Sequence, residues 1–320
     1  MIVVTGGAGF IGSNLVRGLN RRGIEDVLIV DDLSRGEKHL GLNGLAFTDL
    51  VDYRAFPEQL DALEGVEAVF HQGACSDTME SDGRYMLEVN YEYSKRLLAW
   101  CQGRCPFLYA SSAAVYGNGD AGFREELACE WPLNVYGFSK YLFDQWVRRA
   151  LPAATTQVVG LRYFNVYGPH ENHKGRMASV IYKFHHQIRA KGALEVFEGS
   201  DDFLRDFVWV GDAVDLNLWF LDHPEASGVF NCGTGRAESF QKLAETVAGH
   251  YEGARIVNVP FPEDLAGKYQ SYTKADLARL REAGYTGEFT SLEDGVAQYV
   301  EVLEASGGIW PRPSDAGGNA

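Results

Sequence analysis

The sequence predicts an α/β protein, a doubly wound parallel sheet with helices on both faces, together with a smaller mixed α/β domain. Three observations carry this expectation. Short apolar runs alternate with longer amphipathic stretches through the first half of the chain, as strand–helix–strand units do. A glycine-rich turn joins the first apolar run to the first amphipathic stretch. Beyond residue 168 the rhythm changes.

The apolar runs place strands at 2–5, 27–30, 68–71, 107–111 and 158–164. Amphipathic helices are expected over 13–20, 85–101 and 136–150. After GPHENHKG the chain offers an amphipathic stretch at 177–191 and an extended one at 194–199. Residues 206–210 read as another strand of the sheet, and 229–233 as one more. From 236 to 310 the pattern is mostly helical with short extended pieces. These spans divide into a large domain, 1–168 with about 206–235, and a smaller one, 169–205 with 236–310. The tail 311–320, PRPSDAGGNA, has turn-formers and no apolar anchor, and disorder is expected there.

Composition narrows the function. The 320 residues hold 29 basic and 44 acidic side chains, a formal charge of −15 with a pI near 5.0. Such a chain lacks the basic face that a general nucleic-acid binder needs; a small anionic ligand held by a local Arg/Lys cluster stays open. A hydrophobic content of 46% supports a sizeable core. No apolar run approaches the roughly 18 residues needed to cross a bilayer. The opening MIVVTGG reads as a strand rather than a signal peptide, so a cytoplasmic protein without membrane association is expected. Five cysteines, Cys75, Cys101, Cys105, Cys129 and Cys232, are scattered without paired spacing, which predicts neither a disulfide framework nor a zinc site.

The turn TGGAGFIG sets Gly6, Gly9 and Gly12 three apart between strand and helix. Glycine is needed where a pyrophosphate approaches the backbone closely, and the following helix offers free N–H groups to the phosphates. An acidic residue follows about 20 positions later, as a dinucleotide fingerprint requires. This marks the sheet as Rossmann-type. Asp31 stands where a carboxylate accepts from the adenosine ribose. Asp32 beside it repels a 2′-phosphate, whereas Arg35 and Lys38 attract one. Read alone, these residues leave NAD and NADP both open, with a solvated charged loop as the plain reading of Arg35.

Tyr136 and Lys140, in YGFSK, stack on one helical face. A nearby ammonium is expected to lower the tyrosine pKa and fit it for proton exchange with a substrate hydroxyl. Ser112, ending a strand in YASSAAVYG, can hydrogen-bond the same oxygen. Cys75 reads as a small buried thiol. His170 and His173 lack a third ligand at metal spacing and read as surface histidines; no metal is expected.

TGGAGFIG, YASSAAVYG and YGFSK, followed by RDFVWVGDAV and FNCGTGR, resemble the extended short-chain dehydrogenase/reductase superfamily. QGACSDT, PLNVYGFSKYLFD, RYFNVYGPHENHKGRMASV, FEGS, GTGRAESFQ and GKYQSYTKADL narrow the resemblance to the ADP-L-glycero-D-manno-heptose 6-epimerase family, over nearly the whole chain. The resemblance implies an isomerase of lipopolysaccharide inner-core heptose synthesis. Such an enzyme inverts C6 of ADP-D-glycero-D-manno-heptose by transient oxidation with a tightly bound NADP, NAD being possible, in a ring-like homo-oligomer, a pentamer. It assigns Tyr136 and Lys174 as the two acid/base groups, with Ser112 and Lys140 beside them. Read without it, Lys174 is a charged loop residue. Cofactor contacts carried over are Gly6, Gly9, Phe10, Ile11, Gly12, Asp31, Asp32, Lys38, Gln72, Gly73, Ala74, Cys75, Ser76, Asn90, Lys140, Val166 and Lys174. Substrate contacts carried over are Ser112, Asn165, Arg176, Lys183, Phe197, Glu198, Gly199, Ser200, Arg205 and Tyr269, with Arg205 suited to the pyrophosphate.

Four positions depart from the family pattern: Asp32 replaces an Asn, Tyr53 a frequent Lys, and Arg176 and Lys183 stand where Ser and His are usual. The first two remove support for a 2′-phosphate. A UDP-sugar 4-epimerase shares the turn and the Ser–Tyr–Lys set without needing Lys174. A dehydratase would place acids at Ala113 and Ala114, and a catalytically silent sensor has no need of the intact set.

Overall fold

The computed structural model describes residues 1–261 and 270–312. Its centre is a seven-stranded, wholly parallel sheet. The strands are β1 (Ile2–Thr5), β2 (Val27–Asp31), β3 (Asp49–Asp52), β4 (Ala68–His71), β5 (Phe107–Ser112) and β6 (Val158–Tyr163). Two short strands, β7 (Asn165–Tyr167) and β8 (Ala193–Phe197), lie outside it, as do β9 (Leu204–Arg205) and β10 (Phe207–Trp209); β11 (Gly228–Cys232) returns to its edge. The order is β3-β2-β1-β4-β5-β6-β11, so the winding reverses between β1 and β4. In open sheets of this kind ligands bind at that switch point.

The helices are α1 (Phe10–Arg21), α2 (Phe56–Gln59), α3 (Gly83–Leu87), α4 (Tyr93–Cys101), α5 (Val135–Ala150), α6 (Val180–Lys191), α7 (Val210–Asp222), α8 (Phe240–Ala248), α9 (Ala278–Glu282) and α10 (Leu292–Ser306). A π-turn, Glu88–Glu92, joins α3 to α4. Strand β12 (Glu238–Ser239) pairs antiparallel with β9, and β13 (Arg255–Val259) pairs parallel with β8.

Alternation along β1 explains the two-sided core. Ile2 and Val4 pack with Leu15, Val16, Val214 and Leu218 of α1 and α7, while Val3 faces Leu97, Leu98, Phe143 and Val147 of α4 and α5. Successive strand residues point to opposite faces, and both faces are buried, as a parallel sheet requires. A third apolar cluster joins Ile181, Phe184, Leu194, Val196, Trp209, Leu243, Val296 and Tyr299. It packs α6, α8 and α10 against β8 and β10. Polar caps start these helices: Ser179, Ser239 and Ser291 each accept an N–H from the first turn of α6, α8 and α10.

One expectation is corrected here, and one strand lies where the sequence reading placed none. Residues 206–210 do not enter the large sheet; Phe207 pairs with Asn165 in a separate two-stranded ribbon. Strand β3 escapes sequence reading because its residues DLVD are half exposed at the sheet edge and carry no apolar alternation. Expectations for Tyr269 and for 313–320 lie outside the described residues.

Candidate active site

A cleft of about 1020 Å³ opens where β1, β2, β4 and β5 end, lined by Thr5, Asp31, Gln72 and Ser112 among others. Its floor is bare backbone. Gly6 has φ +67°, and a Cβ there would stand 2.6 Å from the Gly73 nitrogen. A Cβ at Gly12 would stand 2.0 Å from the Gly6 carbonyl oxygen. Gly9 caps α1 without a side chain, which leaves the first-turn amides at Phe10, Ile11 and Gly12 to the cleft they line. A tight turn, close backbone and a helix N-terminus fit a dinucleotide pyrophosphate.

At the end of β2, Asp31 accepts from the Ala8 N–H at 2.8 Å. Lys38 holds its other oxygen at 2.6 Å and the Asp32 carbonyl at 3.0 Å. Arg54, absent from the sequence reading, lies over the Tyr53 ring at 4.7 Å and pairs with Asp32 at 3.0 Å. Arg35 donates to the His173 carbonyl at 3.2 Å. Each acid of the Asp31–Asp32 pair therefore has its own cation. A hydrogen bond from the Ser34 backbone, aided by Arg54, holds the Asp32 carboxyl below its ordinary range.

On the facing wall stand Ser112, Tyr136 and Lys140. Asn134 caps α5 through the Gly137 N–H at 2.8 Å, which puts Tyr136 and Lys140 in the first two turns. Lys140 donates to the Ala110 carbonyl at 2.8 Å. Burial lowers its pKa to about 8, partly opposed by the Asp144 carboxylate one turn on. Burial raises the Tyr136 phenol while a hydrogen bond with Ser112 opposes the rise. The expected lowering by Lys140 is absent, because the ammonium is turned to a backbone carbonyl and desolvation dominates.

Beneath this wall lies a buried ionic network. Arg162 has a fully buried side chain and pairs with Asp144 at 2.8 Å and Glu130 at 2.5 Å. Tyr109 and Ser111 also donate to Asp144, at 2.8 and 2.9 Å.

Lys174 reaches the cleft from the loop after β7. Its ammonium lies 4.6 Å from the Phe10 ring centroid and 3.9 Å from Glu171. Glu171, wholly buried, accepts from the Gly168 N–H at 3.0 Å and from the Ser179 N–H, so one carboxylate ties both ends of the loop.

Of the residues carried over for the cofactor, all line the cleft except Asn90. It sits behind, in the π-turn, where it donates to the Cys75 carbonyl at 2.9 Å and accepts from the Cys75 N–H at 2.8 Å. Of the substrate set, Ser112, Asn165 and Arg176 line the cleft. Lys183 is set back, donating to the Arg176 carbonyl at 2.9 Å. Phe197, Glu198, Gly199 and Ser200 lie at the end of β8, with Ser200 donating to Gln241 at 3.1 Å. Arg205 is buried over the Phe240 ring and donates to the backbone of Leu204 and Gln270; Gln270 itself lines the cleft.

Two further expectations are corrected. Cys75 is half exposed on the cleft wall rather than buried. His170 is buried, not on the surface, and lies 2.8 Å from the Ser13 hydroxyl; His173 lines the cleft, and burial lowers its pKa to about 4. Arg54, Glu171 and Asp144 are the residues sequence reasoning missed. Asp144 alone left a signal, spaced four from Lys140 on the face that carries Tyr136. Among the described residues no group of three His, Cys, Asp or Glu side chains is placed to hold a metal ion, and no helix is long and apolar enough to cross a membrane.

A glycine turn at the switch point of a doubly wound sheet, faced by Ser, Tyr and Lys, defines the class of extended short-chain dehydrogenases/reductases. Within it, the chain belongs to the NAD dependent epimerase/dehydratase family, whose model matches residues 2–233. It is similar to the ADP-L-glycero-D-manno-heptose-6-epimerase of Brachyspira hyodysenteriae, at 53% identity covering 96% of this chain and 99% of that one. The Alkalilimnicola ehrlichii enzyme of the same name is 54% identical, covering 97% of this chain and 100% of its own. Among solved structures, Helicobacter pylori ADP-L-glycero-D-manno-heptose-6-epimerase matches with a TM-score of 0.82 at 29% identity, over 95% of this chain and 96% of that one. UDP-glucose 4-epimerase of Thermus thermophilus, in complex with NAD, matches with a TM-score of 0.78 at 26% identity, over 95% and 99%.

Proposed function

We propose that the protein inverts C6 of ADP-D-glycero-D-manno-heptose to the L-glycero epimer. The observation that supports this reading is that Tyr136 and Lys174, from separate elements, both line the cleft that holds the glycine turn. A nicotinamide dinucleotide bound there supplies a transient oxidation at C6 and its reversal. Tyr136 exchanges the proton of the C6 hydroxyl, with Ser112 hydrogen-bonded to the same oxygen. Lys140 would hold the nicotinamide ribose, and Lys174 serves the second face. A UDP-sugar 4-epimerase needs no group at Lys174, and a silent sensor needs none of the four.

The cofactor is NADP bound at least as well as NAD. Lys38 and Arg54 already neutralise Asp31 and Asp32, which removes most of the repulsion toward a 2′-phosphate, and Arg35 lines the same end of the cleft. Residues 1–168 with 206–235 form the dinucleotide-binding domain, and 169–205 with 236–310 the substrate domain. The sugar nucleotide lies along Asn165 and Arg176, with Arg205 and Ser200 behind them. A cytoplasmic homo-oligomer, pentameric by resemblance, completes the reading; exposed Leu127, Trp131 and Leu133 support association, which sedimentation measures.

The test is incubation of the purified protein with each ADP-heptose epimer, read by NMR. Interconversion without added cofactor is expected. No interconversion even with NAD and NADP supplied overturns the function, and mass spectrometry of released cofactor showing NAD alone overturns the preference.

A further inference from the structure

The chain does not stop at the last helix. Gly307 and Gly308, at φ +66° and +92°, bond back to the Leu303 and Val302 carbonyls at 2.9 and 3.4 Å and turn the chain sharply, as glycines past a helix end do. The turned segment lands on the loop that carries Lys174. The Gly308 carbonyl accepts from the His170 N–H at 2.7 Å, and the Gly307 carbonyl accepts from the Asn172 amide at 2.7 Å. Trp310 follows: its backbone N–H points at His170 Nε2, 3.4 Å away, and its indole N–H donates to Asn14 at 2.8 Å. Its ring packs edge-on to Trp209 with the Arg17 guanidinium 4.7 Å above it.

His170 is the hinge of this contact. It is the one non-glycine residue at positive φ (+75°) among those described, a conformation that persists only where the surroundings impose it. Burial lowers its pKa to about 3, so it is neutral. With Nε2 accepting from Trp310, the proton assigned to Nδ1 donates to Ser13 Oγ at 2.8 Å. Ser13 in turn donates to the Gly9 carbonyl at 2.7 Å. One directed chain of hydrogen bonds thus runs from the C-terminal segment through the Lys174 loop to the glycine turn. Asn14 doubles it, donating to the Phe10 and Pro169 carbonyls at 2.8 and 2.9 Å.

We propose that residues 307–310 clasp the Lys174 loop to the first turn of α1, making His170 and Trp310 positioning residues that set Lys174 against the reacting carbon. The proposal rests on the reading of Lys174 as the second acid/base group. Lys174 already packs over Phe10, whose carbonyl and neighbours the clasp holds, so its position depends on the register of loop and helix. A displacement of about 1 Å between reacting groups costs up to roughly 10² in rate.

The test compares Trp310→Ala, Trp310→Phe and Lys174→Met in the cofactor-loaded protein. In Trp310→Ala, amide hydrogen exchange over 168–179 is expected to quicken roughly tenfold or more. Turnover of ADP-heptose is expected to fall about tenfold or more, with KM within about twofold and cofactor content unchanged. The loss should fall more on oxidation of one epimer than the other in single-turnover measurements, in the same sense as in Lys174→Met. Trp310→Phe keeps the ring contact and should recover most of it. Unchanged exchange over 168–179 overturns the clasp whatever Lys174 does. Quickened exchange with full turnover, or equal slowing from both epimers, leaves a merely structural tuck and overturns the positioning role. Normal turnover in Lys174→Met overturns the acid/base reading itself, which the exchange measurement does not depend on.

Discussion

The two sides of the cleft are built differently. On the dinucleotide side, the glycine turn, the loop 72–76 and the start of α5 each present their motif residues to the cleft directly. Each is a short local construction: three glycines in a strand-to-helix turn, or two side chains four apart on a capped helix. On the side proposed for the sugar nucleotide, Asn165 and Arg176 reach the wall, whereas Lys183, Ser200 and Arg205 stand behind it, engaged with the Arg176 carbonyl, Gln241 and the 204–270 backbone. The lesson is that motif residues at element ends are presented by local geometry. Residues on the second assembly depend on how β8, β9 and α8 pack beside the sheet.

The largest expected effect lies under the dinucleotide wall. Arg162→Met takes the fully buried cation from Asp144, which keeps the Tyr109 and Ser111 hydroxyls, and from Glu130, which keeps Arg148; it should destabilise the fold by about 3–5 kcal/mol, read by denaturant unfolding. A loss under about 1 kcal/mol would mean that the network behaves like a surface pair and does not brace that wall. Next comes the chemistry that the wall presents. Tyr136→Phe should cut turnover by at least about 10² while cofactor stays bound; near-normal turnover removes the phenol from the reaction.

A smaller effect follows from Lys140. Its pKa of about 8 lies below the unfolded value of a lysine, so between the two the unfolded chain holds the extra proton. Stability from this group therefore rises as pH climbs through that window and is lost as pH falls through about 8. If Lys140 holds the ribose as proposed, binding of the cofactor runs the opposite way, because only the ammonium donates to ribose hydroxyls from a charged group. Affinity of the cofactor-stripped protein should drop by up to about tenfold from pH 7 to pH 9, and Lys140→Met should flatten the profile. A flat profile in the native protein would place the ribose elsewhere. The smallest effect belongs to the side proposed for the sugar nucleotide: Ser200→Ala removes the brace to Gln241 behind the wall and should raise KM by roughly three- to tenfold, the worth of one hydrogen bond, with kcat unchanged. No change in KM would put the FEGS turn outside the substrate site and widen the contrast between the two sides.

Legibility followed the same division. Strands β1, β2, β4 and β5, the turn at Gly6, Gly9 and Gly12, and the pair Tyr136 and Lys140 can all be read from alternation and spacing within a few turns of chain. Lys174 gained meaning only through resemblance, since nothing local separates a catalytic loop lysine from a solvated one. Arg54 was passed over because its value depends on Asp32, which the edge strand β3 brings beside it. Glu171 and His170 were misjudged or missed because polar residues in a loop read as exposed until long-range packing buries them.

What the sequence by itself determined is the set of local constructions: apolar alternation that must bury both faces of a parallel sheet, glycines where a Cβ has no room, and a tyrosine and a lysine four apart on one face of α5. What only the tertiary structure decided is which distant groups share a charge or a hydrogen bond. Arg162 between Asp144 and Glu130, Arg54 on Asp32, Glu171 across its loop, and Trp310 on His170 and Asn14 are such pairs. Apart from Glu171, whose partners Gly168 and Ser179 lie in its own loop, these partners stand 18 to 296 positions apart. The reason is physical: a backbone conformation is chosen by its neighbours in sequence, whereas burial and the charge state that burial permits are set by whatever the folded chain packs against it.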